Sequence, residues 1–389
     1  MPDISLLKQI ISKNIKKLEK KFTTINLISI DERQILKNFD FFKQQYPDHT
    51  IWPVLKSNAY GHGLAQITQI LSKRRIDYLV VDSYLEALQI WQINPKQKVL
   101  LIGSILPENF KNLKLDKIAP TIFDLDCLIA LGQLGKPAKI HLKINTGFNR
   151  QGLKYEEVGE FLEILRKYPQ IELEGLMSHL ADADNPQQTF TKKQRENFSK
   201  TIALVRKMGF SPKYIHLDAT AGSSNLDKTQ TNALRLGIGL YGFNPLPKNR
   251  SSYTKFEILK PALEFTSKII NVVELKKGDQ VGYGCTFTAS KPMEVGILPV
   301  GYFEVFDRKL SNKGFVKYKN QFLPIVGRVC MNLTIVDLKE TNAKRWDEIQ
   351  IISPQTKDKN SAQNMAQFSD TIVYETLVKI NASTRRRVK

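Results

Sequence analysis

Residues 51–63 read Ile51-Trp52-Pro53-Val54-Leu55-Lys56-Ser57-Asn58-Ala59-Tyr60-Gly61-His62-Gly63. The first five side chains are apolar, and a run of this length and composition predicts a buried β-strand. The two glycines that follow it indicate a turn. An apolar strand followed by a turn and a helical pattern opens a βα unit. This run is the first of eight along the chain.

The eight β-rich runs lie between residues 51 and 242. The predicted strands are Ile51–Lys56, Tyr78–Val81, Lys98–Gly103, Ile118–Phe123, Lys139–Asn145, Leu173–His179, Tyr214–Thr220 and Leu234–Tyr241. Amphipathic stretches between them, with apolar residues three and four positions apart, predict helices at Leu64–Ser72, Tyr84–Trp91, Leu125–Leu134, Tyr155–Lys167 and Thr191–Lys207. Eight strands with crossover helices predict an α/β fold, a (β/α)8 TIM barrel, whose active site lies at the C-terminal ends of the strands.

The pattern changes after about residue 255 to short strands separated by turns. These strands are predicted at Thr266–Leu275, Met293–Val300, Gly314–Lys317, Phe322–Val329, Leu333–Leu338 and Glu348–Ile352. They predict a C-terminal, mostly-β domain. We therefore divide the chain into a basic helical extension (residues 1–21), a barrel (22–250) and a β domain (251–389), with residues 22–30 able to pair with the β domain.

Composition narrows the class of protein. The chain has 389 residues and a formal net charge of +20. Its lysines are mixed with carboxylates, and no nucleic-acid-binding motif accompanies them. We therefore interpret them, and the terminal Arg385-Arg386-Arg387-Val388-Lys389, as a solvated surface with no nucleic-acid or membrane partner. The three cysteines lack metal-ligand spacing and cannot all pair, which favours a cytoplasmic protein without a metal. No stretch has the length of a signal peptide or a membrane span.

Polar residues mark five strand ends. Lys56 closes the first predicted strand, where partial desolvation favours the neutral amine that forms a Schiff base with an aldehyde cofactor. A solvated strand-end lysine is the commoner case for a lysine taken alone. Arg150 follows the fifth strand, His179 ends the sixth, Thr220 ends the seventh and Arg235 lies in the eighth. Their position on one rim predicts an active site there.

Several of these motifs resemble the alanine racemase family over nearly all the chain after about residue 22. The resemblance rests on the Lys56 run, Arg150, His179, the Arg235 strand, Gly282-Tyr283-Gly284 and Gly327-Arg328-Val329-Cys330-Met331, in the family's order and approximate spacing. It implies an isomerase dependent on pyridoxal 5'-phosphate. Such an enzyme interconverts L-alanine and D-alanine and supplies D-alanine for peptidoglycan.

The family's residue roles carry over by position. The resemblance implies that Lys56 holds the cofactor, and that its phosphate is held by Tyr60, Thr220, Tyr374 and the amides near Gly237 and Ile238. His179 is expected against the cofactor ring, and Arg235 opposite the ring nitrogen with support from His216. Arg150, Met331 and Tyr302 are expected to contact the substrate. Lys143 matches the lysine that many members carry as a carbamate, with an unmodified lysine beside water or chloride as the alternative.

Racemisation itself requires two bases, because a proton leaves one face of Cα and another returns to the opposite face. Lys56 supplies one base, and Tyr283 matches the family's second. In the family this tyrosine comes from the partner subunit, so the resemblance implies a homodimer with shared active sites. Nearby positive charge, such as that of Arg150, would favour the phenolate that a tyrosine base requires. Arg235 carries donors only, so it can bond the ring nitrogen without protonating it, which disfavours transamination.

The sequence departs from the family pattern near the expected active-site entrance. Gly301-Tyr302-Phe303-Glu304-Val305-Phe306 stands where Gly-Tyr-Ala-Asp-Gly-Tyr is common, and Asn332 follows Met331 where Asp is usual. Asn145 also replaces an Asp, and Ala219-Thr220 replaces Asn-Ser while keeping a hydroxyl for the phosphate. The larger Phe303 and Val305 bear on the width of the entrance and on the substrate range.

Other functions share parts of this pattern. A racemase of serine, lysine or broad specificity would keep the same motifs. A barrel-type amino-acid decarboxylase fits the Tyr283 context and the Arg235 strand less well. A non-catalytic pyridoxal-phosphate carrier would share the lysine motif but would be a single barrel, and the predicted β domain argues against it.

Overall fold

The computed structural model describes residues 23–228 and 230–389. The predicted basic extension over residues 1–21 lies outside the described residues. The described chain forms a barrel of parallel strands and a second unit built mostly from antiparallel strands.

Eight parallel strands form the barrel. They are β2 (Thr50–Pro53), β3 (Leu79–Val81), β4 (Val99–Leu101), β5 (Ile118–Ile122), β6 (Ala138–Lys143), β7 (Ile171–Met177), β8 (Tyr214–His216) and β9 (Ala233–Leu236). Strands β3 to β8 pair in sequence order, and β2 pairs with β9. Bridges from Val54 to Val80 and from Ala219 to Arg235 close the ring. The predicted (β/α)8 TIM barrel is confirmed.

Seven helices accompany the barrel strands in the described chain, and the five predicted amphipathic stretches account for all but the first and the last of them. They are α1 (Glu32–Gln45), α2 (Leu64–Leu71), α3 (Tyr84–Ile93), α4 (Leu125–Gln133), α5 (Val158–Arg166), α6 (Thr189–Lys207) and the short α7 (Thr220–Ser223). Side chains fix several of their starts: Ser83 and Glu86 form a capping box at α3, and Asp124 accepts from the Cys127 amide at α4. Between β4 and β5 the crossover is a 3-10 helix, Pro107–Asn112.

The predicted strands extend too far at their C-terminal ends. β2 ends at Pro53, β7 at Met177, β8 at His216 and β9 at Leu236. Lys56, His179, Thr220 and Tyr241 were predicted as strand residues, and this part of the prediction is wrong. At the rim of a barrel the chain leaves the sheet to reach the next helix, so apolar residues there cover the barrel without pairing in it.

The second unit contains two main sheets. Its strands are β10 (Leu263–Lys268), β11 (Asn271–Leu275), β12 (Gln280–Val281), β13 (Phe287–Thr288), β14 (Met293–Leu298), β15 (Phe315–Tyr318), β16 (Gln321–Pro324), β17 (Thr334–Asp337), β18 (Glu348–Ile352) and β19 (Arg385–Val388), with helices α8 (Ala362–Phe368) and α9 (Val373–Val378). With β1 (Leu27–Ile30), they form a six-stranded sheet in the order β16-β15-β18-β10-β1-β19, a three-stranded sheet β11-β14-β17 and the hairpin β12-β13. β1 pairs antiparallel with β10 and parallel with β19, so the two ends of the described chain meet in one sheet.

Two predictions for this unit are wrong. The single predicted strand Thr266–Leu275 is two strands in different sheets, β10 and β11, and the buried Ile269 lies between them. The basic C-terminus is not a fully solvated surface, because Arg385–Val388 pairs with β1. Sequence periodicity does not show either feature, since both depend on partners far away in the chain.

No helix in residues 23–228 and 230–389 is long and apolar enough to cross a membrane. The same residues contain no group of three or more histidine, cysteine, aspartate or glutamate side chains placed to hold a metal ion.

Candidate active site

Lys56 lies just beyond β2, at the start of a left-handed turn. Ser57, Asn58, Ala59 and Tyr60 all have positive φ angles, of 56°, 54°, 52° and 51°. For residues other than glycine this conformation costs about 1–2 kcal/mol each. Such strain persists only where the surrounding contacts impose it, and it is concentrated at functional sites.

Contacts from two barrel helices hold the turn. The Ser57 amide donates to Oε1 of Glu86 at 2.6 Å. Oδ1 of Asn58 accepts from the Leu64 amide at 2.8 Å. Glu86 belongs to the capping box of α3, and Leu64 is the first residue of α2. The turn that carries the half-buried Lys56 is therefore fixed to both neighbouring helices.

The second unit fixes the same turn from the other side. The Arg386 guanidinium donates to the Gly61 carbonyl at 3.0 Å through Nε and at 2.8 Å through a terminal nitrogen. A Cβ at Gly61 would lie 2.0 Å from the Leu377 carbonyl oxygen, so only glycine fits there. Burial lowers the pKa of Arg386 to about 10, which leaves it charged near neutral pH. Arg386 was not predicted as a site residue, because a run of three arginines does not show which one is buried.

Two hydroxyl groups flank the Cα of Gly237, which carries no side chain. A Cβ built at Gly237 would lie 3.2 Å from the Tyr60 hydroxyl and 3.8 Å from Oγ1 of Thr220. The Gly239 amide donates to the same Thr220 oxygen at 3.2 Å. Ile238 begins a 3-10 helix, whose first N–H groups have no carbonyl of that helix to bond. The two hydroxyls and the Ile238 amide around this point form a cradle suited to a phosphate group.

Aromatic rings close this cradle. The Tyr60 ring lies 6.1 Å from the Tyr374 ring and 5.1 Å from the Tyr241 ring, measured between centroids. Burial raises the pKa of Tyr60 and raises that of Tyr374 to about 12. Both phenols therefore keep their protons near neutral pH and can donate hydrogen bonds to an anion.

Arg235 is buried at the C-terminal part of β9, surrounded by acceptors. Its guanidinium donates to the carbonyl oxygens of Ser178 at 2.6 Å, Leu217 at 2.8 Å and His216 at 3.1 Å. It also contacts Nδ1 of His216 and, at 3.2 Å, Nδ1 of His179. Burial lowers the pKa of Arg235 to about 10, although Asp218 opposes the shift, so the guanidinium stays charged. These contacts hold the group rigidly in one orientation.

His179 lies between Arg235 and the partly buried Phe148, whose ring carries the Arg150 guanidinium. Its ring lies 5.7 Å from that of Phe148, and the Arg150 guanidinium lies 4.1 Å from the centre of the Phe148 ring. Burial and the positive charge of Arg235 lower the pKa of His179 to about 3, so the imidazole is neutral. The structure therefore brings Arg150, His179 and Arg235 together on one rim.

Lys143 is buried at the end of β6 and faces the same group of cations. Its ammonium donates to Oε1 of Gln151 at 2.7 Å. Burial, followed by the charges of Arg235 and Arg150, lowers the pKa of Lys143 to about 8. A substantial fraction of neutral amine is therefore present near neutral pH.

Three predicted site residues lie apart from this rim. Tyr283, Met331 and Tyr302 belong to the second unit, and 71%, 57% and 46% of their respective surfaces are exposed. A single chain therefore does not bring them into an enclosed site with Lys56.

Two residues near Tyr302 that differ from the family pattern, Glu304 and Asn332, are bonded to each other. Oε1 of Glu304 accepts from the Asn332 amide group at 2.8 Å, and Oε2 accepts from the Gly301 backbone amide at 2.7 Å. Val305 and Phe306 are buried in the core, whereas Phe303 is exposed. The unusual residues at 304 and 332 thus form one hydrogen-bonded pair, and of the two larger residues only Phe303 lies at the surface.

A lysine at a strained turn, a cradle suited to a phosphate and a rigid arginine at the C-terminal rim of a (β/α)8 barrel are features of a pyridoxal-phosphate enzyme. The geometry of the cradle fits this cofactor, since Gly237 leaves open the point that the Tyr60 and Thr220 hydroxyls flank. Comparison with known proteins narrows the class. Residues 30–245 match the model of the alanine racemase N-terminal domain, and residues 262–388 match that of the C-terminal domain.

The relatives extend over nearly the whole chain. The alanine racemase of Borreliella burgdorferi is 31% identical over 366 residues, which covers 92% of this chain and 96% of that relative. The solved alanine racemase of Clostridium difficile 630 is 28% identical, with a TM-score of 0.87 over 95% of this chain and 96% of that one. The alanine racemase of Bartonella henselae, solved with covalently bound pyridoxal phosphate, shares the fold with a TM-score of 0.83 at 22% identity, covering 94% of this chain and 100% of that one.

The chain belongs to the alanine racemase family. It is therefore an isomerase that depends on pyridoxal phosphate.

Proposed function

We propose that this protein interconverts L-alanine and D-alanine. The observation that carries the proposal is the arrangement of Lys56, the phosphate cradle and Arg235 at one barrel rim, in a chain related along its length to alanine racemases. The product D-alanine would serve peptidoglycan synthesis. We place the reaction in the cytoplasm because Cys127, Cys285 and Cys330 are all unpaired thiols.

The barrel residues would hold the cofactor at three points. Lys56 would bind its aldehyde carbon covalently. Its phosphate would lie against the Tyr60 and Thr220 hydroxyls and the amides of Gly237 and Ile238, beside Tyr374. When bound, pyridoxal phosphate withdraws electrons from the substrate Cα and makes its proton acidic.

Arg235 would hydrogen-bond the ring nitrogen and keep it unprotonated. The guanidinium is charged and donates only. Its carbonyl contacts hold it in place, His216 supports it, and the neutral His179 lies beside it. An unprotonated ring withdraws electrons less strongly than a protonated one, which favours simple proton return over transamination.

Two groups would move the proton at Cα. The Nζ of Lys56 would take or return it on one face, and the phenol oxygen of Tyr283 from the partner subunit on the other. The exposure of Tyr283 supports this assignment, because a 71% exposed side chain cannot act in an enclosed site of its own chain. Arg150, Tyr302 and Met331 would contact the substrate, with the last two also supplied by the partner.

A second copy of this chain would cover the exposed face of the β unit. Tyr283, Tyr302, Phe303, Met331 and Leu333 are all large apolar residues that are at least 41% exposed. Four of them lie on two adjoining segments, because the Phe303 amide donates to the Met331 carbonyl at 2.9 Å and the Tyr302 amide to that of Cys330 at 3.0 Å. A contiguous exposed apolar patch of this kind is typical of an interface. The proposed homodimer thus completes each active site with residues from the neighbouring chain.

The environment of Lys143 supports a carbamate at this residue. Carbon dioxide reacts with a neutral amine, and the pKa of Lys143 is lowered to about 8 by burial and by Arg235 and Arg150. The same cations would stabilise the anionic product. A carbamate there would orient Arg150 toward the substrate.

With carbon-13-labelled bicarbonate, we expect one protein carbamate resonance that is lost in Lys143→Gln and kept in Lys139→Gln. Lys139 is a matched control on the same strand, because its hydrogen bond to Glu174 raises its pKa and keeps it protonated. The resonance should weaken as the pH falls below about 8, where Lys143 becomes protonated. A resonance that survives Lys143→Gln, or no resonance even at alkaline pH, would contradict the assignment.

The experiment for the activity uses the purified protein with pyridoxal phosphate. We expect a bound-cofactor absorbance and, by chiral chromatography, conversion of either alanine enantiomer to the racemate. Serine and lysine should react at least about tenfold more slowly, because a single side-chain group changes pocket binding by about that amount. Faster racemisation of serine or lysine would reassign the substrate. Carbon dioxide release would indicate a decarboxylase, and cofactor binding without turnover a carrier.

A further inference from the structure

A chain of buried polar side chains runs through the barrel from Arg235 toward the opposite end. Arg235 contacts Nδ1 of His216. Nε2 of His216 lies 2.8 Å from Nδ1 of His141. Nε2 of His141 lies 3.5 Å from Oε2 of Glu174. Each of these four residues is at most 3% exposed, so the chain is shielded from water along its length.

The chemistry of the first residue fixes every proton in the chain. A guanidinium only donates, so Nδ1 of His216 accepts and its proton must be on Nε2. That proton is donated to Nδ1 of His141, which places the His141 proton on its own Nε2, facing Glu174. Burial lowers the pKa of both histidines, and Arg235 also lowers that of His216, so both are neutral. Every N–H group in the chain therefore points away from the Arg235 cation and toward the Glu174 anion.

Glu174 is held as that anion at the far end. Tyr78 donates to Oε2 at 2.5 Å, and Lys139 donates to Oε1 at 2.8 Å. Burial opposes ionisation, but the contact with His141 and the hydrogen bonds from Lys139 and Tyr78 outweigh it and lower the pKa of Glu174 to about 2. The contact from His141 is longer than an ordinary hydrogen bond, so this last step is electrostatic.

The backbone is shaped to admit these rings. A Cβ at Gly175 would lie 2.3 Å from Nδ1 of His141, so the imidazole occupies the space that any side chain at 175 would need. Trp52 packs edge-on against His216 at 4.9 Å and against His141 at 5.7 Å. The ring of Tyr214 stacks on that of His141 at 6.2 Å. This packing restrains both imidazole rings against a flip about their Cβ–Cγ bonds.

We propose that Glu174 is a positioning residue for Arg235, acting through His141 and His216. Its negative charge stabilises the one pair of imidazole tautomers that lets His216 accept from Arg235. That acceptor keeps the guanidinium in a fixed orientation at the rim. The effect on catalysis rests on the proposed function, whereas the tautomers are a property of the protein alone.

The first test is nitrogen-15 NMR of the histidine-labelled wild-type protein, with and without pyridoxal phosphate. The chain has five histidines, so single substitutions can assign the signals. We expect His141 and His216 to be neutral and to carry their protons on Nε2 in both samples. A proton on Nδ1 of either ring, or an imidazolium at either position, would overturn the proposal whatever the enzymatic activity is.

The second test compares Glu174→Gln with Glu172→Gln. Glu172 is a matched control, because it pairs with the same Lys139 at 3.1 Å from the same strand and no described contact joins it to His141. We expect Glu174→Gln to move the His141 Nε2–H resonance upfield and to lower kcat about tenfold with little change in the KM for alanine, as loss of an outer positioning contact commonly does. Glu172→Gln should change neither.

Equal spectra and equal kcat in the two variants would show that Glu174 has only a structural role. Thermal unfolding of each variant establishes that it is folded before comparison. If Glu174→Gln does not fold, the tautomers of the wild-type protein test the proposal. The variant Tyr78→Phe then serves as a second comparison, because it removes one hydrogen bond to Glu174 and keeps the charge of Glu174. For Tyr78→Phe we expect both histidines to keep their protons on Nε2 and kcat to stay close to that of the wild type. A proton moved to Nδ1 of either histidine would overturn the proposal.

Discussion

Replacing Lys56 with alanine is expected to abolish covalent cofactor binding and to lower racemisation by about 10⁴-fold or more, because the variant loses both the cofactor attachment and one of the two bases. The phosphate cradle remains, so pyridoxal phosphate should still bind without a covalent link. Absorbance spectra before and after dialysis, together with chiral assays in both directions, measure these losses.

The control for this variant is Lys167→Ala, which removes an exposed lysine at the end of α5. It should keep the spectrum and the rate of the wild type. A Lys56→Ala protein that retains the bound-cofactor absorbance through dialysis would show that another amine holds the cofactor.

Replacing Tyr283 with phenylalanine is expected to damage catalysis on one face of the substrate only. The change removes the phenol and leaves Lys56 in place. Racemisation should slow by about 10²–10⁴-fold, the usual contribution of a positioned acid or base. In deuterated water, exchange of the Cα proton should survive for one alanine enantiomer and be lost for the other, as followed by proton NMR.

Tyr155→Phe is the matched control, since Tyr155 is also exposed, at 46%, and is not among the residues proposed to contact the cofactor or the substrate. It should leave both exchange rates unchanged. Racemisation by Tyr283→Phe at close to the wild-type rate in both directions would remove Tyr283 from the mechanism.

Much of the barrel could be predicted from the sequence because its strands and helices are local patterns. Apolar runs such as Ile118–Ile122, followed by an amphipathic stretch capped by Asp124, give one βα unit each. The strands predicted from the sequence were too long at the rim of the barrel. Apolar residues such as Leu55, Leu217 and Ile238 continue past the strand ends and stay buried, but they lie outside the strands.

The left-handed turn after Lys56 could not be predicted from local preference. Ser57, Asn58, Ala59 and Tyr60 are not residues that favour positive φ as a group. The turn exists because Glu86, Leu64 and Arg386 hold it, and of these Glu86 and Arg386 are distant in sequence. The strain is imposed by tertiary contacts that a propensity scale does not include.

Only part of the polar chain that begins at Arg235 could be predicted from the sequence. His216 was identified from the resemblance, but His141 and Glu174 were not. One signal was available: His141 and Lys143 are two positions apart on β6 and therefore share a face of the strand. Their opposite neighbours on β7 depend on register, which the sequence alone does not give.

The shared active site is tested most directly by mixing two defective chains. Lys56→Ala and Tyr283→Phe chains are each expected to be nearly inactive alone. In a mixed dimer one site has both wild-type bases and the other has neither. Random mixing makes about half of the dimers mixed, so about a quarter of the wild-type activity per chain should return.

The measurement is the racemase activity of purified mixed dimers, isolated through two different affinity tags, beside each parent variant treated in the same way. One of the two sites is intact in each purified mixed dimer, so we predict about half of the wild-type activity per chain there and no recovery in the parents. Mixed dimers that are demonstrably formed but remain as inactive as their parents would show that Lys56 and Tyr283 do not meet across two chains.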